Sequence, residues 1–293
     1  MKKNNFNKGL LLTSLGSFWW GFIGVLYFEY VSFIGHIELV VHRCLWTAVM
    51  LVLTTTFFSK WEIFFKIVSN KKNLIGLFIS GFLIFTNWAV WIYAVANERI
   101  IDASFGYFIM PILSVLLGYL FFKENLNKKR IFSILLVLIA ILVLIFLNFK
   151  SLPWVGLIVA LSWAFYNLVR KKIDIDTDVG LLIESLYILP FALIVFYLIT
   201  KSGYNDFNFS NLGLSLFLIL AGPMTVIPLF LYVRGVELIG LGPTGMIFYI
   251  TPTLQFILGY FYYNEEFSLV KFLSFIIIWI AVIIYLKDLY ETN

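Results

Sequence analysis

Ten apolar stretches of about twenty residues follow one another along a chain of 293 residues, joined by short connections. A bilayer core about 30 Å thick is crossed by a helix of about 20 apolar residues, so each stretch has the length of one transmembrane pass. The stretches fall at 9–28, 37–58, 74–96, 101–122, 129–148, 151–170, 180–200, 212–233, 239–263 and 269–287. The longest connections, 59–73 and 201–211, are too short for a further domain. With 62% hydrophobic and 13% charged residues, too little polar surface exists to cover a water-soluble fold. The expected fold class is therefore an all-α membrane protein with ten transmembrane helices. Gly106 and Pro111 interrupt 101–122, and Gly242, Pro243, Gly245 and Pro252 interrupt 239–263. Broken backbone at membrane depth is tolerated where protein or a water-filled cavity satisfies the freed groups.

The basic residues set the orientation. Sixteen Lys and Arg fall in the N-terminus, the alternate connections near 59–73, 123–130, 170–179 and 234–238, and the C-terminus. Arg170, Lys171 and Lys172 are among them. The opposite connections hold only four, Arg99, Lys150, Lys201 and Lys271. Positive charge is retained inside, so both termini are expected on the cytoplasmic side of a bacterial inner membrane. The same scattering along the connections, rather than on one face, argues against nucleic acid as the partner of a chain with net charge +5. The basic N-terminus leads into a first helix that is too long for a signal peptide and has no small-residue cleavage site.

An internal repeat gives the helices a symmetry. With a shift of 141 residues, Ile109, Pro111, Leu113, Leu117, Gly118, Tyr119 and Glu124 coincide with Ile250, Pro252, Leu254, Leu258, Gly259, Tyr260 and Glu265. Proline, an LGY triplet and an acidic end in one register point to two copies, over 1–148 and 149–293. Five helices per copy is an odd number, so the second copy enters the membrane upside down. Pro111 and Pro252 are the expected helix breaks of a gate.

Charged residues within a span cost about 2.5–3.5 kcal/mol at a helix centre, so each needs a reason. Glu38, His42 and Trp46 recur at i, i+4 and i+8 on one helical face, with Arg43 about 100° round from His42. They read either as the wall of a polar cavity, with Arg43 holding a carboxylate or phosphate and Glu38 or His42 exchanging protons, or as a network that fixes helix packing. Asn87 and Trp91 share a face of the third stretch, at about the level of Arg43. Asn87 is as well explained by interhelical hydrogen bonding as by ligand contact. Glu184 stands about one turn inside the seventh stretch, as a pseudo-equivalent of Glu38 near the other membrane face. Tyr107, Tyr166 and Tyr249 offer hydroxyls or rings to the same pathway, or simply pack. Cys44 is the single cysteine, inside an apolar stretch, so neither a disulfide framework nor a metal-binding pair is expected. No hydrolase, metalloenzyme or ATPase motif occurs, so neither catalysis nor a cofactor is expected, and any transport draws on a gradient.

The stretches Glu38…His42-Arg43…Trp46, Asn87-Trp88, ASFGYF to Pro111, FYNLVRKK (165–172), GLLIE…LP (180–190), YITPTL (249–254) and FIIIW with DLY resemble the RarD branch of the EamA group, within the drug/metabolite transporter superfamily. They span nearly the whole chain. Met110 and Phe248 stand where that group's pattern carries Asn and Gln. The resemblance implies ten helices as two inverted five-helix halves and a secondary transporter moving small solutes outward by alternating access. The expected partners are a small-molecule solute and the lipid bilayer, with homodimer formation and proton coupling left open. The alternative is a lipid-handling protein or intramembrane enzyme, which would show a groove open to lipid beside Arg43 rather than a closed central cavity.

Overall fold

Backbone amides cannot be left unpaired in lipid, and the chain meets that demand with helices. The computed structural model describes residues 3–96, 100–148, 154–203, 205–262 and 269–292, and every regular element in them is helical. The sequence expectations for Lys2, Arg99, Lys150 and Glu265 lie outside the described residues.

Helix α1 (Lys3–Phe18) runs through a π-helical turn (Trp19–Ile23) into α2 (Gly24–Tyr30). Then follow α3 (His36–Phe57), α4 (Trp61–Val68), α5 (Lys71–Ala96), α6 (Ile100–Phe122), α7 (Lys128–Asn148), α8 (Trp154–Ile173) and α9 (Thr177–Ser202). The chain ends with α10 (Leu212–Ile239), the short α11 (Leu241–Ile247), α12 (Ile250–Phe261) and α13 (Leu269–Thr292).

Among the described residues, seven helices are long and apolar enough to cross a membrane, counting α1 and α2 as one. Three further apolar stretches of the sequence depart from that standard for visible reasons. The apolar part of α6, Gly106–Phe122, is shorter. The last turn of α8 carries Arg170, Lys171 and Lys172. The ninth stretch is divided between α11 and α12 at Phe248 and Tyr249. Gly240, at φ 97°, supplies the left-handed turn that ends α10 and starts α11. Pro111, by contrast, does not break α6, which runs through it from Ile100 to Phe122.

The region 59–73, read from sequence as a connection, contains α4. Trp61, Phe64, Ile67 and Val68 recur at helical spacing and turn inward; Phe64, Ile67 and Val68 pack with Leu77, Val179 and Ile183, while Glu62 and Lys66 face out. An eight-residue helix of this kind is held by packing rather than by propensity.

Helix α1 lies along α10 and α5 along α8; α3 packs on α9 and α10, α6 on α8 and α11, and α7 on α13. The two chain ends meet: Phe6 and Leu289 share one apolar cluster. Nearby, the buried Arg130 on α7 donates from Nε to Asp288 Oδ2 on α13 at 2.8 Å. Glu124 holds the start of α11 at this end, accepting from the backbone N–H of Leu241 and of Gly242, each at 2.8 Å, and from Lys171 Nζ at 2.8 Å.

Candidate functional site

Two polar centres lie inside the bundle. The first is built on α3, toward the end away from the chain termini. Glu38 is buried, and its Oε1 accepts from the backbone N–H of Asp206 at 2.9 Å and of Phe207 at 3.2 Å. His42, one turn on, brings Nε2 within 3.4 Å of that oxygen, and its Nδ1 accepts from Trp46 Nε1 at 3.2 Å. The i, i+4, i+8 face therefore exists, and Glu38 ties the segment before α10 to α3, while the buried His42 Nε2 approaches Glu38 without forming a hydrogen bond. The rings of Phe196 and Phe207 cover His42 at 5.4 and 5.0 Å.

Arg43 points elsewhere. Its Nε donates to Thr225 Oγ1 on α10 at 2.9 Å. The guanidinium stands 4.5 Å from the ring centre of Trp88 and 5.4 Å from that of Phe28. Both rings thus present a π-face or edge to the cation. Tyr107 and Tyr27 also lie within its electrostatic reach. Among the described residues no carboxylate comes within the 4.0 Å of an ion pair with Arg43, and its Nη1 and Nη2 form no hydrogen bond.

The second centre lies between α8 and α9, nearer the chain termini. Glu184 is buried; Ser80 donates to its Oε1, and Tyr166, equally buried, donates to its Oε2 at 3.2 Å. Arg170 Nη1 lies 3.5 Å from Glu184 Oε1, and Arg170 Nη2 donates to the Thr177 carbonyl at 3.0 Å. Arg170 is 2% exposed, so it is not the loop cation that its place in the RKK block implies. Gly180 makes room for it: a Cβ there would clash with Arg170 Nη1. Helix α9 starts beside this centre, with Asp176 as N-cap accepting from Val179 N–H at 3.3 Å. Lys60, from the turn before α4, bonds Asp176 and Asp178, the latter at 2.7 Å. Burial works to lower the Lys60 pKa, but these two carboxylates outweigh it and hold the ammonium above its ordinary range. Burial likewise opposes ionisation of Asp176, but its bonds with Asp178, Lys60 and Val179 hold it below the usual carboxylate range.

Between the two centres lies a small cavity of about 20 Å³, walled by Thr47, Trp88, Glu184, Ser185 and the aliphatic side chains of α3, α5, α9 and α10. That volume suffices for one water molecule. Trp88 faces this cavity as well as Arg43, so one indole separates the two centres. Beside it, Trp20, Trp163, Tyr232 and Phe248 form an aromatic cluster with ring centres 5.1–6.4 Å apart. The π-helical turn carries Trp20 into this cluster.

The remaining expected residues fall outside these centres. Asn87 Nδ2 donates to the Val159 carbonyl at 2.8 Å and to Ser162 Oγ at 3.1 Å, which bonds α5 to α8. Tyr249, at the α11–α12 joint, donates to the Phe108 carbonyl at 2.9 Å and packs with Ile112, Met246 and Tyr285. Pro111 presents its carbonyl to α11, where a Cβ on Gly245 would meet it at 2.8 Å. Pro252 is buried in the first turn of α12. Sequence reasoning missed Trp88, Thr225 and the burial of Arg170. An Arg followed by two lysines is ordinary at a helix end, and only the glycine opposite it gives a sign of burial.

Comparison with known proteins accords with this architecture. The EamA-like transporter family matches residues 7–146 and again residues 151–287. The RarD protein of Escherichia coli (strain K12) is 32% identical over 293 residues, covering 100% of this chain and 98% of the relative. An uncharacterized transporter of Bacillus subtilis (strain 168), YojE, is 32% identical over 288 residues, covering 97% and 95%. A solved crystal structure superposes with a TM-score of 0.73 over 97% of this chain and 98% of its own, at 12% identity, and so attests the fold alone. With two family matches that together span nearly all of its length and a helical bundle of matching form, the chain belongs to the EamA-like transporter family.

Proposed function

We propose that the chain is a secondary transporter that exports a small solute bearing a carboxylate or phosphate, by alternating access and without catalysis or cofactor. The observation that carries this reading is Arg43. Its half-buried charge lies against Trp88, Phe28 and Thr225, with no counter-charge within ion-pair distance among the described residues. An uncompensated guanidinium is costly at this depth, and a cationic site that binds a transient anion gives it a use.

The architecture in this reading is ten passes in two inverted halves, 1–148 and 149–293, with both termini cytoplasmic. Two separate family matches support the halves. So does the packing, since the α1–α10 pairing and the α5–α8 pairing correspond when the halves are exchanged. The pathway then includes Glu38, His42, Trp46, Asn87, Trp91, Tyr107, Tyr166, Glu184 and Tyr249 as walls and braces around Arg43, with Pro111 inside the continuous α6 and Pro252 in the first turn of α12, beside the α11–α12 joint.

The test is metabolite profiling of cells lacking or overproducing the protein, then uptake of the accumulated anions into proteoliposomes with and without a pH gradient. R43Q should abolish flux and R43K should retain part of it, since the ammonium keeps the charge without the planar fork. Flux of neutral solutes only, or undiminished flux in R43Q, would refute the reading. Scrambling of labelled phospholipid in place of solute uptake would point to lipid handling.

A further inference from the structure

Helices α6 and α11 meet along a seam that runs inward from the end holding both chain termini. Backbones approach closely there: a Cβ on Gly242 would meet Glu124 Oε2 at 2.9 Å, and one on Gly245, a turn deeper, would meet Ser114 Cβ at 2.7 Å. At the deep end of the seam Tyr249 donates to the Phe108 carbonyl at 2.9 Å.

One carboxylate fastens the near end. Lys123 follows the last residue of α6 in the left-handed region, at φ 53°, a costly conformation for a lysine. It turns the chain back, so that the Glu124 N–H donates to the Gly118 carbonyl at 3.1 Å. The Glu124 side chain then lies against Gly118, Gly240 and Gly242, where any Cβ would crowd it. From that nest it accepts from the N–H of Leu241 and of Gly242 at the start of α11 and from Lys171 Nζ on α8, each at 2.8 Å. Glu124 belongs to the first of the two sequence halves and both partners to the second, so these bonds hold the halves together.

The surroundings suit a contact that breaks and reforms. Glu124 and Lys171 are each 18% exposed, and a cavity of about 320 Å³ walled by Glu124, Arg130, Pro243 and Tyr285 lies beside them. Water entering there can replace each bond as it is released. The Glu184–Arg170 pair, with both side chains at most 3% exposed, has no such substitute and acts as a fixed brace.

We infer that Glu124 is the latch of a gate at the terminal end of the bundle: solute passes when its bonds to α11 and Lys171 exchange for water and the seam between α6 and α11 parts. The inference rests on the transport reading and assigns that reading a residue which controls access to the interior.

The chain's single cysteine makes this testable without knowing the solute. In a C44A background, S114C supplies the sole thiol, buried in the seam one turn deeper along α6 than Gly118. The full-length protein in lipid nanodiscs, open to reagent on both faces, is treated with N-ethylmaleimide, a neutral probe whose approach the charge changes do not bias. The parent thiol should react slowly. E124Q, whose amide accepts through one oxygen only, should speed the reaction about tenfold or more, since hydrogen bonds to a charged group are lost. K171M keeps both backbone bonds and should speed it less. S133C, buried on α7, is the control and should stay slow in every variant. An S114C rate unaltered in E124Q, or an equal rise at S133C, which a merely structural cap would give, would overturn the inference. Where E124Q does not fold, K171M decides by the same two rates. Because no flux is measured, a failed transport reading shows as undiminished uptake in R43Q with the S114C response intact, and a failed latch shows as the reverse.

Discussion

Arg43 and Arg170 are both arginines inside the bundle, and they are treated in opposite ways. Arg170 has a carboxylate at 3.5 Å, a glycine opposite and a backbone carbonyl to bond. Arg43 has two aromatic rings, one threonine hydroxyl and no ion-pair partner among the described residues. The difference separates stability from function. A buried pair that loses one member leaves an uncompensated charge, whereas a lone charge that is removed relieves a desolvation cost.

The largest expected effect breaks the Arg170 side of this contrast. E184L should destabilise the protein by about 3–5 kcal/mol, because Arg170 then stays buried without its carboxylate. Thermal melting of the detergent-solubilised protein, read against R170M/E184L, checks it, since the double variant should recover much of the loss. The next effect sharpens the Arg43 side. R43M should leave melting unchanged or raised while anion uptake falls at least tenfold, about 1.4 kcal/mol of binding free energy. A drop in stability equal to that of E184L would erase the distinction.

Glu38 tests whether the α3 chain braces or conducts. E38Q loses the charge behind two backbone hydrogen bonds and should cost about 1.5–3 kcal/mol, with faster amide exchange at Asp206 and Phe207. If exchange there is unaltered while the pH dependence of flux disappears, Glu38 carries protons instead. The smallest effect is expected at Lys60. Its raised pKa means the stabilisation is complete below the ordinary lysine range and is lost as pH rises through the raised value. The lowered Asp176 pKa means its share is present above the ordinary aspartate range and is lost as pH falls through the depressed value. Melting should therefore be flat across neutral pH, and K60M should remove about 1 kcal/mol or less throughout that plateau.

Much of the fold was legible because a bilayer imposes a length and a charge rule that local sequence must obey. The apolar helices follow from the length rule, the divided ninth stretch from its Gly and Pro residues, and the face shared by Glu38, His42 and Trp46 from helical spacing. The continuity of α6 through Pro111 was not legible, because a proline permits either outcome and packing against α8 and α11 decides. Helix α4 was hidden for another reason: eight residues give too few turns for a periodic signal. At the site, the chemistry of Arg43 was visible but its partners were not, since Trp88 and Thr225 come from helices 45 and 182 residues away along the chain. Arg170 was misread because a positive charge at a helix end looks the same from sequence whether it meets water or Glu184.

The bond from Tyr249 to the Phe108 carbonyl joins two positions separated by 141 residues, the offset that superposes the two halves in the sequence. On the two-half reading, each partner is the other's counterpart, so the contact lies at the place where the halves cross. A rocking motion that trades the roles of the halves displaces such a place least. The joint between α11 and α12 then works as a fulcrum: the lever arms on either side can swing while the bond beneath them stays made.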